Sequence, residues 1–424
     1  MFTTLQDILT RYHRMTGANT LWLPGADHAG LATQEKLDVA MKAEGLDPKG
    51  PEFPAFARAY KDRLDGEINH QIRRTGASCD WSRYRFTLDD RYTRAVEKAF
   101  AICRERGMLY REGRDWFLDM RELAQDILKE ITQNNLKIIP ESGTKTLRHF
   151  LENIEPWCIS RQIRWGHRIP IEGETDVLDT WFSSALWPFA ALGWPDETDD
   201  LKTFYPAALI ETGDDILFFW CARMLMMGKL LTGRLPFSTI YLHGLIRDKH
   251  GRKMSKSLGN GVDPLDIIER FTCDGMRIAL AEAATPGEDM RLRDEKLQAG
   301  KAMATKLMNA GRFCHRFLTE TGEITHPDDR TILDDLAAAR EEIGSRIAGM
   351  EIHMAAQAAR RFLYDRFCGW YIEAAKDRLY GDDPSSKRAI TLAFDGLLRL
   401  LHPFMPFTTE HLHAGNGLLI SREW

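Results

Sequence analysis

Apolar positions at Leu5, Ile8, Leu9, Tyr12 and Met15 recur at the three- and four-residue steps of a helix, and predict one helical face over 5–15. Thr20-Leu21-Trp22-Leu23 is a short apolar run closed by Pro24-Gly25, the pattern of a buried strand that ends in a turn. Helical patterning returns near 53–74 and 89–107. Residues 108–160 are polar and mixed, and read as a connector rather than a domain. Ala207–Glu211 and Thr239–Leu242 read as further short buried strands, with a helical pattern at 214–231 between them. Strand, helix, strand at this spacing predicts a parallel βαβ unit. From about 263 the pattern is helical throughout, over 263–271, 273–284, 291–318, 331–347, 350–378 and 387–401. An α/β domain followed by an all-α domain is expected, with no internal repeat and no low-complexity tract.

Composition narrows the class. The chain has 424 residues, 44% hydrophobic and 28% charged, enough for a buried core and two or three domains. Its net charge of -5 excludes a polybasic nucleic-acid binder, so any RNA contact must come from a local basic face. Seven cysteines (79, 103, 158, 221, 273, 314 and 368) are scattered, odd in number and never spaced C-x-x-C. That argues against a disulfide framework and a zinc knuckle. No apolar run approaches about 18 residues, so no membrane span is expected. Met1-Phe2-Thr3-Thr4-Leu5 lacks the basic start of a secretory leader, and a cytoplasmic protein is expected.

Ligands of open parallel sheets bind beyond the carboxyl ends of the strands. Three Gly-containing polar segments fall at such ends: Pro24–Gly30, Glu211–Asp215 and His243-Gly244. Each alone is equally an ordinary strand-to-helix turn; together they mark a candidate site. The sharper signal is Gly251-Arg252-Lys253-Met254-Ser255-Lys256-Ser257-Leu258-Gly259-Asn260. Two lysines three apart, among Ser and Gly, can close over a triphosphate and neutralise departing pyrophosphate. A solvated basic turn is the commoner use of such a stretch.

That string is letter for letter the KMSKS signature, and the chain resembles the class I aminoacyl-tRNA synthetases, the valyl branch above all, over nearly its whole length. The likeness is carried by Arg11–Met15, Asp27-His28-Ala29-Gly30-Leu31-Ala32-Thr33-Gln34 and Gly76–Ser82. It continues through Trp157–Gln162, Trp165-Gly166-His167, Asp176–Ser184 and His402–Phe407. It implies a Rossmann-like catalytic domain in two parts, 1–112 and 161–262, around a shortened connective region, 113–160. Stem-contact helices at 263–290 and an anticodon-binding-type helical bundle at 291–424 would follow.

The resemblance implies ATP-dependent activation of valine and its transfer to a valine-specific tRNA, with Mg2+ accompanying ATP and no protein metal site. Asp27 would pair with the amino acid's ammonium group, and Trp181, Ile216 and Trp220 would wall its side chain. Ile216 and Trp220, four apart on a predicted helix, would share a face, and read equally as helix core. Gly213, His243 and Gly244 would lie against adenosine, with Met254, Ser255, Lys256 and Ser257 also on ATP. Lys253 and Lys256 would be the catalytic cations. No membrane partner is implied, and the chain is expected to be a monomer or to be completed by another chain.

The chain also departs from the family pattern. It contains no H-x-G-H. The family carries that motif and its first strand upstream of the helix starting at Thr3, so the sheet is expected to lack its first strand. The editing insertion is missing between Gly107–Arg111 and Asp115–Asp119, and an apolar pocket alone discriminates poorly against isosteric threonine. The metal-binding insert before Asp176 is reduced to a linker, no C-terminal coiled coil is present, and Asp214 stands where the family has an aromatic residue. Two other readings stay open: a non-catalytic paralogue that binds tRNA or a partner chain, and an adenylating enzyme outside translation. Arg312, Arg316, Arg360, Arg361 and Arg366 could line an RNA face or form a solvated helix surface.

Overall fold

The computed structural model describes residues 1–248, 250–254, 259–413, 415 and 417–424. The chain forms two compact units, each assembled from separate stretches. An α/β unit comprises Leu21–His70 and Cys79–Leu242; a helical unit comprises Met1–Thr20, Gln71–Ser78 and His243–Trp424. These breaks fall elsewhere than the boundaries at 112, 160, 262 and 290 drawn from sequence. No helix among the described residues is long and apolar enough to cross a membrane.

The α/β unit is built on a three-stranded sheet of β1 (Lys137–Ile139), β2 (Ile210–Gly213) and β3 (Thr239–His243), in the order β1-β3-β2. β3 runs parallel to β1, from Thr239 opposite Lys137 to Tyr241 opposite Ile139. A parallel bridge joins Ala207 to Phe237 ahead of β2 and β3. The predicted strand–helix–strand order holds, but its helix is not uniform. A 3-10 turn at Asp214–Ile216 leads into a π-helix at Leu217–Ala222, then an α-helix at Arg223–Thr232. Gly233, at φ 74°, closes that helix in the left-handed conformation that lacks a Cβ penalty.

Two sequence readings are corrected here. Residues 108–160 are not a mere connector, since they supply β1 of the parallel sheet. They also hold helices at Arg121–Thr132 and Ser142–Glu152, and a hairpin of Leu109–Glu112 and Asp115–Leu118 that pairs antiparallel with Trp157–Cys158. A three-residue strand is too short to show a period, which is why the pattern hid it. Thr20–Leu23 is not a strand; the ladder starts later, where Gly25–Ala26 runs parallel to Arg85–Phe86. Gly25 is required there, because a Cβ would stand 2.0 Å from the Trp187 ring. The core collects Tyr92, Phe100, Phe182, Phe189, Met226 and Ile240, each at most 1% exposed.

The helical unit confirms the expected run of helices. Several begin with an acceptor cap followed by proline, whose missing N–H costs nothing at that position. Asp263 caps Pro264–Phe271, His326 caps Pro327–Ala348 and Asp383 caps Pro384–Leu401. The predicted helix over 350–378 is an α-helix (Ile352–Arg361), a π-helical stretch (Phe362–Tyr371) and a second α-helix (Ile372–Tyr380). The N-terminal helix Phe2–Met15 is stitched into this unit by charge. Asp7 Oδ2 meets Arg11 Nε and Arg277 Nη2, each at 2.7 Å, while its Oδ1 accepts from Ser78 N–H and Ser78 Oγ–H. Arg277 also donates to the carbonyls of Thr75, Pro403 and Phe404. Arg277 and Asp7 are both fully buried.

Candidate active site

Asp27 follows the Gly25–Ala26 strand and precedes a helix at Gly30–Ala43. Two successive left-handed residues, Ala29 (φ 53°) and Gly30 (φ 36°), turn the chain there. Such backbone strain in a non-glycine residue persists only where surroundings hold it. Here Trp165 Nε1–H donates to the His28 carbonyl, and Gln34 Oε1 accepts from the backbone N–H of Arg164 and Trp165.

The Asp27 carboxylate accepts from Thr180 Oγ1 (3.0 Å to Oδ2), Thr87 Oγ1 (3.1 Å to Oδ1) and Ala29 N–H. Its side chain is 39% exposed, so solvent and ligand can reach it. Protein nonetheless surrounds it closely enough that burial raises its pKa, against the pull of its hydroxyl donors. The neighbouring His28, with Nδ1 at 3.4 Å, is no cation: burial drives its pKa down to about 3. Among the described residues Asp27 therefore has neutral donors but no cationic partner.

Thr180 opens a short helix, Thr180–Ser184, fixed from behind by Asp179. Asp179 accepts from Trp157 Nε1–H and pairs with Arg161 at 3.2 Å and Arg223 at 3.7 Å. The Arg223 guanidinium lies 4.0 Å from the centre of the Trp157 ring, and burial lowers its pKa to about 10. On the same short helix Trp181 stacks on Phe219 at 6.1 Å, and Trp220 Nε1–H donates to the Ser184 carbonyl. The structure thus brings Asp27, Trp181 and Trp220 onto one connected frame. Ile216 differs from expectation. It ends the 3-10 turn, so its four-residue step to Trp220 crosses into π-helix and the α-helical shared-face argument does not apply. Gly213 is buried with an ordinary φ of -67°, and Asp214 is exposed.

In the helical unit, His243 Nδ1–H donates to the Gly244 carbonyl. Gly244 leaves space that the chain itself fills: a Cβ there would meet the Glu288 carbonyl oxygen at 2.1 Å. The close approach that requires glycine is made by backbone of the same unit. Lys253 bridges to Arg247 in antiparallel fashion, and Met254 is half-buried beside it. Asp248 organises this stretch by accepting from His250 N–H, Arg252 N–H, Arg252 Nε–H and Asn260 Nδ2–H. Those donors, Asn260 foremost, hold its carboxyl well below the usual range. Ser255, Lys256 and Ser257 lie outside the described residues.

The sequence matches the family model of tRNA synthetases class I (I, L, M and V) over residues 1–115, 113–173 and 171–293. It matches the anticodon-binding domain of tRNA ligases over 329–424. The chain belongs to the class I tRNA synthetases. Valine--tRNA ligase of Carboxydothermus hydrogenoformans is 30% identical over 99% of this chain and 74% of its own length. The chloroplastic/mitochondrial valine--tRNA ligase 2 of Arabidopsis thaliana is 32% identical over 97% and 68%. Mycobacterium tuberculosis methionyl-tRNA synthetase bound by methionyl-adenylate shares the fold at a TM-score of 0.82, with 19% identity, over 97% of this chain and 89% of that one. Leucyl-tRNA synthetase from Agrobacterium radiobacter K84, in a ternary complex with tRNA, does so at 0.81 with 16% identity, over 99% and 83%. The expected class I synthetase fold, a Rossmann-like domain followed by a helical bundle, is that of this family.

Sequence reasoning missed three polar residues of this synthetase. Thr87 and Thr180 cup Asp27, and Asp248 anchors the segment leading into KMSKS. Thr180 adjoins the recognised Trp181. A lone threonine between Phe86 and Leu88 carries no pattern, and Asp248 reads as one more polar loop residue.

Proposed function

We propose that this aminoacyl-tRNA ligase activates valine with ATP and transfers it to tRNA. The observation that carries the reading is Asp27: a solvent-reached carboxylate without a cationic partner among the described residues, beside an aromatic wall. A carboxylate so placed selects an ammonium group, and apolar rings beside it suit a branched aliphatic side chain. Asp27 would orient the amino acid, with Trp181, Ile216 and Trp220 around its side chain. Gly213, His243 and Gly244 would receive adenosine. Met254, Ser255, Lys256 and Ser257 would complete the nucleotide site, with Lys253 and Lys256 balancing charge on the phosphates.

The carboxylate oxygen of valine then forms a bond to the α-phosphorus as the bond to pyrophosphate breaks. A hydroxyl of the terminal ribose of tRNA next bonds to the aminoacyl carbonyl carbon as the bond to AMP breaks, and the released AMP phosphate takes the hydroxyl proton. Among the described residues no three His, Cys, Asp or Glu side chains gather to hold a metal. Mg2+ would arrive on the nucleotide's own phosphates. The anticodon-binding match supports tRNA as the acceptor over an adenylation reaction outside translation. The working form proposed is a cytoplasmic monomer.

The test is valine-dependent exchange of pyrophosphate into ATP by this chain, beside Asp27→Asn and Lys256→Ala. Exchange that both substitutions abolish supports the reading. Exchange indifferent to either one removes that residue from the mechanism.

A further inference from the structure

Thr87 is 1% exposed and holds a hydroxyl with one proton and two lone pairs. Three groups compete for them. The backbone N–H of His28, at 2.9 Å, can only donate. The Asp27 carboxylate, at 3.1 Å, can only accept, so it receives the threonine proton. His28 Nδ1, at 2.8 Å, must then be the second donor. His28 is thereby fixed as the neutral Nδ1–H tautomer, and its Nε2 is buried without a partner. The other end of the threonine is held as well, because its carbonyl accepts from His167 Nε2–H at 2.6 Å. The two imidazoles meet edge to face, 5.3 Å apart.

A hydroxyl with only a packing role is satisfied by nearby backbone. This one has both lone pairs filled by His28, and its proton is directed at a carboxylate open to solvent. We propose that Thr87 is a positioning residue for amino-acid selection: the chain His28 Nδ1–H to Thr87 Oγ1–H to Asp27 Oδ1 fixes the direction of the carboxylate that receives the substrate's ammonium group. The inference rests on the assignment of Asp27 as the ammonium site. Among the described residues, the other ionisable groups that act on or beside Asp27 are His28, His167, Asp89 and Tyr92. Both histidines stay neutral, with pKa values near 3. Asp89 is engaged as a helix cap on Tyr92 N–H, and burial pushes the Tyr92 phenol up.

The experiment is calorimetric titration across a pH series with two probes: valine, and isovalerate, which keeps the side chain and carboxylate but lacks the ammonium group. The proteins are the parent chain, Asp27→Asn, Thr87→Val, Thr87→Ser and Thr87→Cys. Thr87→Val is expected to weaken valine binding about tenfold, the effect of losing a hydrogen bond to a charged group. It should also move the acid limb of valine binding to higher pH, since a carboxylate short of one donor protonates more easily. Thr87→Ser should restore both, and isovalerate binding should hardly change. Should Thr87→Val not fold, Thr87→Cys, a weaker donor of similar size, must show the same shifts at smaller size. A folded Thr87→Val or Thr87→Cys chain with the parent's affinity and acid limb would overturn the proposal, while loss of valine binding in Asp27→Asn would leave the Asp27 reading intact. Parental valine binding by Asp27→Asn, or none by the parent, overturns that reading and the inference with it.

Discussion

The two units each hold a buried polar system centred on an aspartate, and the two are built to opposite plans. In the helical unit Asp7 is sealed from solvent and saturated, with two guanidiniums on one oxygen and two serine donors on the other. Burial alone would raise its pKa, but Arg277 and Arg11 outweigh it and the carboxyl is held low. In the α/β unit Asp27 is open to solvent, its donors are hydroxyls and one amide, and its pKa is raised by burial. The first carboxylate has all the charge compensation that the fold can supply. The second has a polar frame and, among the described residues, no cationic partner. A group kept ionisable and oriented but uncompensated is what the proposed ammonium site requires.

Removing both carboxylates in turn should separate the plans most widely. Asp7→Asn leaves two buried guanidiniums short of their partner. Breaking a buried ion pair from one side costs about 3–5 kcal/mol, so a large fall in the urea midpoint is expected. Asp27→Asn should hold or raise that midpoint, because it deletes a charge that burial disfavours. Equal losses of stability in the two variants would break the contrast.

Acid is the next lever, and here the units should agree. His28 and His167 in the α/β unit and His402 in the helical unit each have a folded pKa of about 3. Burial is the leading cause in all three, and Arg11 and Arg277 press further on His402. An unfolded histidine takes up its proton near pH 6.5. Below that pH the unfolded chain binds more protons than the folded one, so stability falls as pH falls from about 6.5 toward 3. The loss is on the order of 2 kcal/mol per histidine at pH 5. Asp7 adds a further loss below pH 4, as its depressed carboxyl is protonated; Asp27, with its raised pKa, works weakly in the opposite sense. Urea titrations at pH 7, 6 and 5 measure the slope. A midpoint that stays level would mean that these rings are protonated in the folded state.

The smallest effect is expected at the surface. Arg366 is paired with Asp335 and lies 4.7 Å over the Trp370 ring, while Arg360 and Arg361 are paired with Glu282 and Glu342. Charges already matched by carboxylates make a poor RNA face. Arg366→Gln should change stability by less than about 1 kcal/mol and leave tRNA affinity, measured at two salt concentrations, where it was. A tenfold loss of affinity would return Arg366 to the RNA-binding surface.

What could be read from sequence follows the same division. Long amphipathic helices in the helical unit repeat their period many times, although two of the starts lie three or four residues before those read from the pattern, at Pro327 and Pro384. The KMSKS string and Asp27 were legible as candidate chemistry. Residues 137–139 and 25–26 were not legible as strands, because two or three residues carry no period and their partners lie far along the chain. The break between 3-10 and π-helix at 216–217 was equally hidden, since a change of helix type leaves the apolar pattern nearly intact. Thr87 was invisible for a different reason: its proposed role lies wholly in which neighbours share its one proton.

The pairing of Asp7 with Arg277 also sets a clock. A ribosome adds about 5–20 residues per second, so most of the chain must be made before the N-terminal helix meets the arginine that neutralises it. For that interval, roughly ten seconds to a minute, Phe2–Met15 has its apolar face and its charge without their native cover. The helical unit therefore cannot be completed in the order in which it is synthesised.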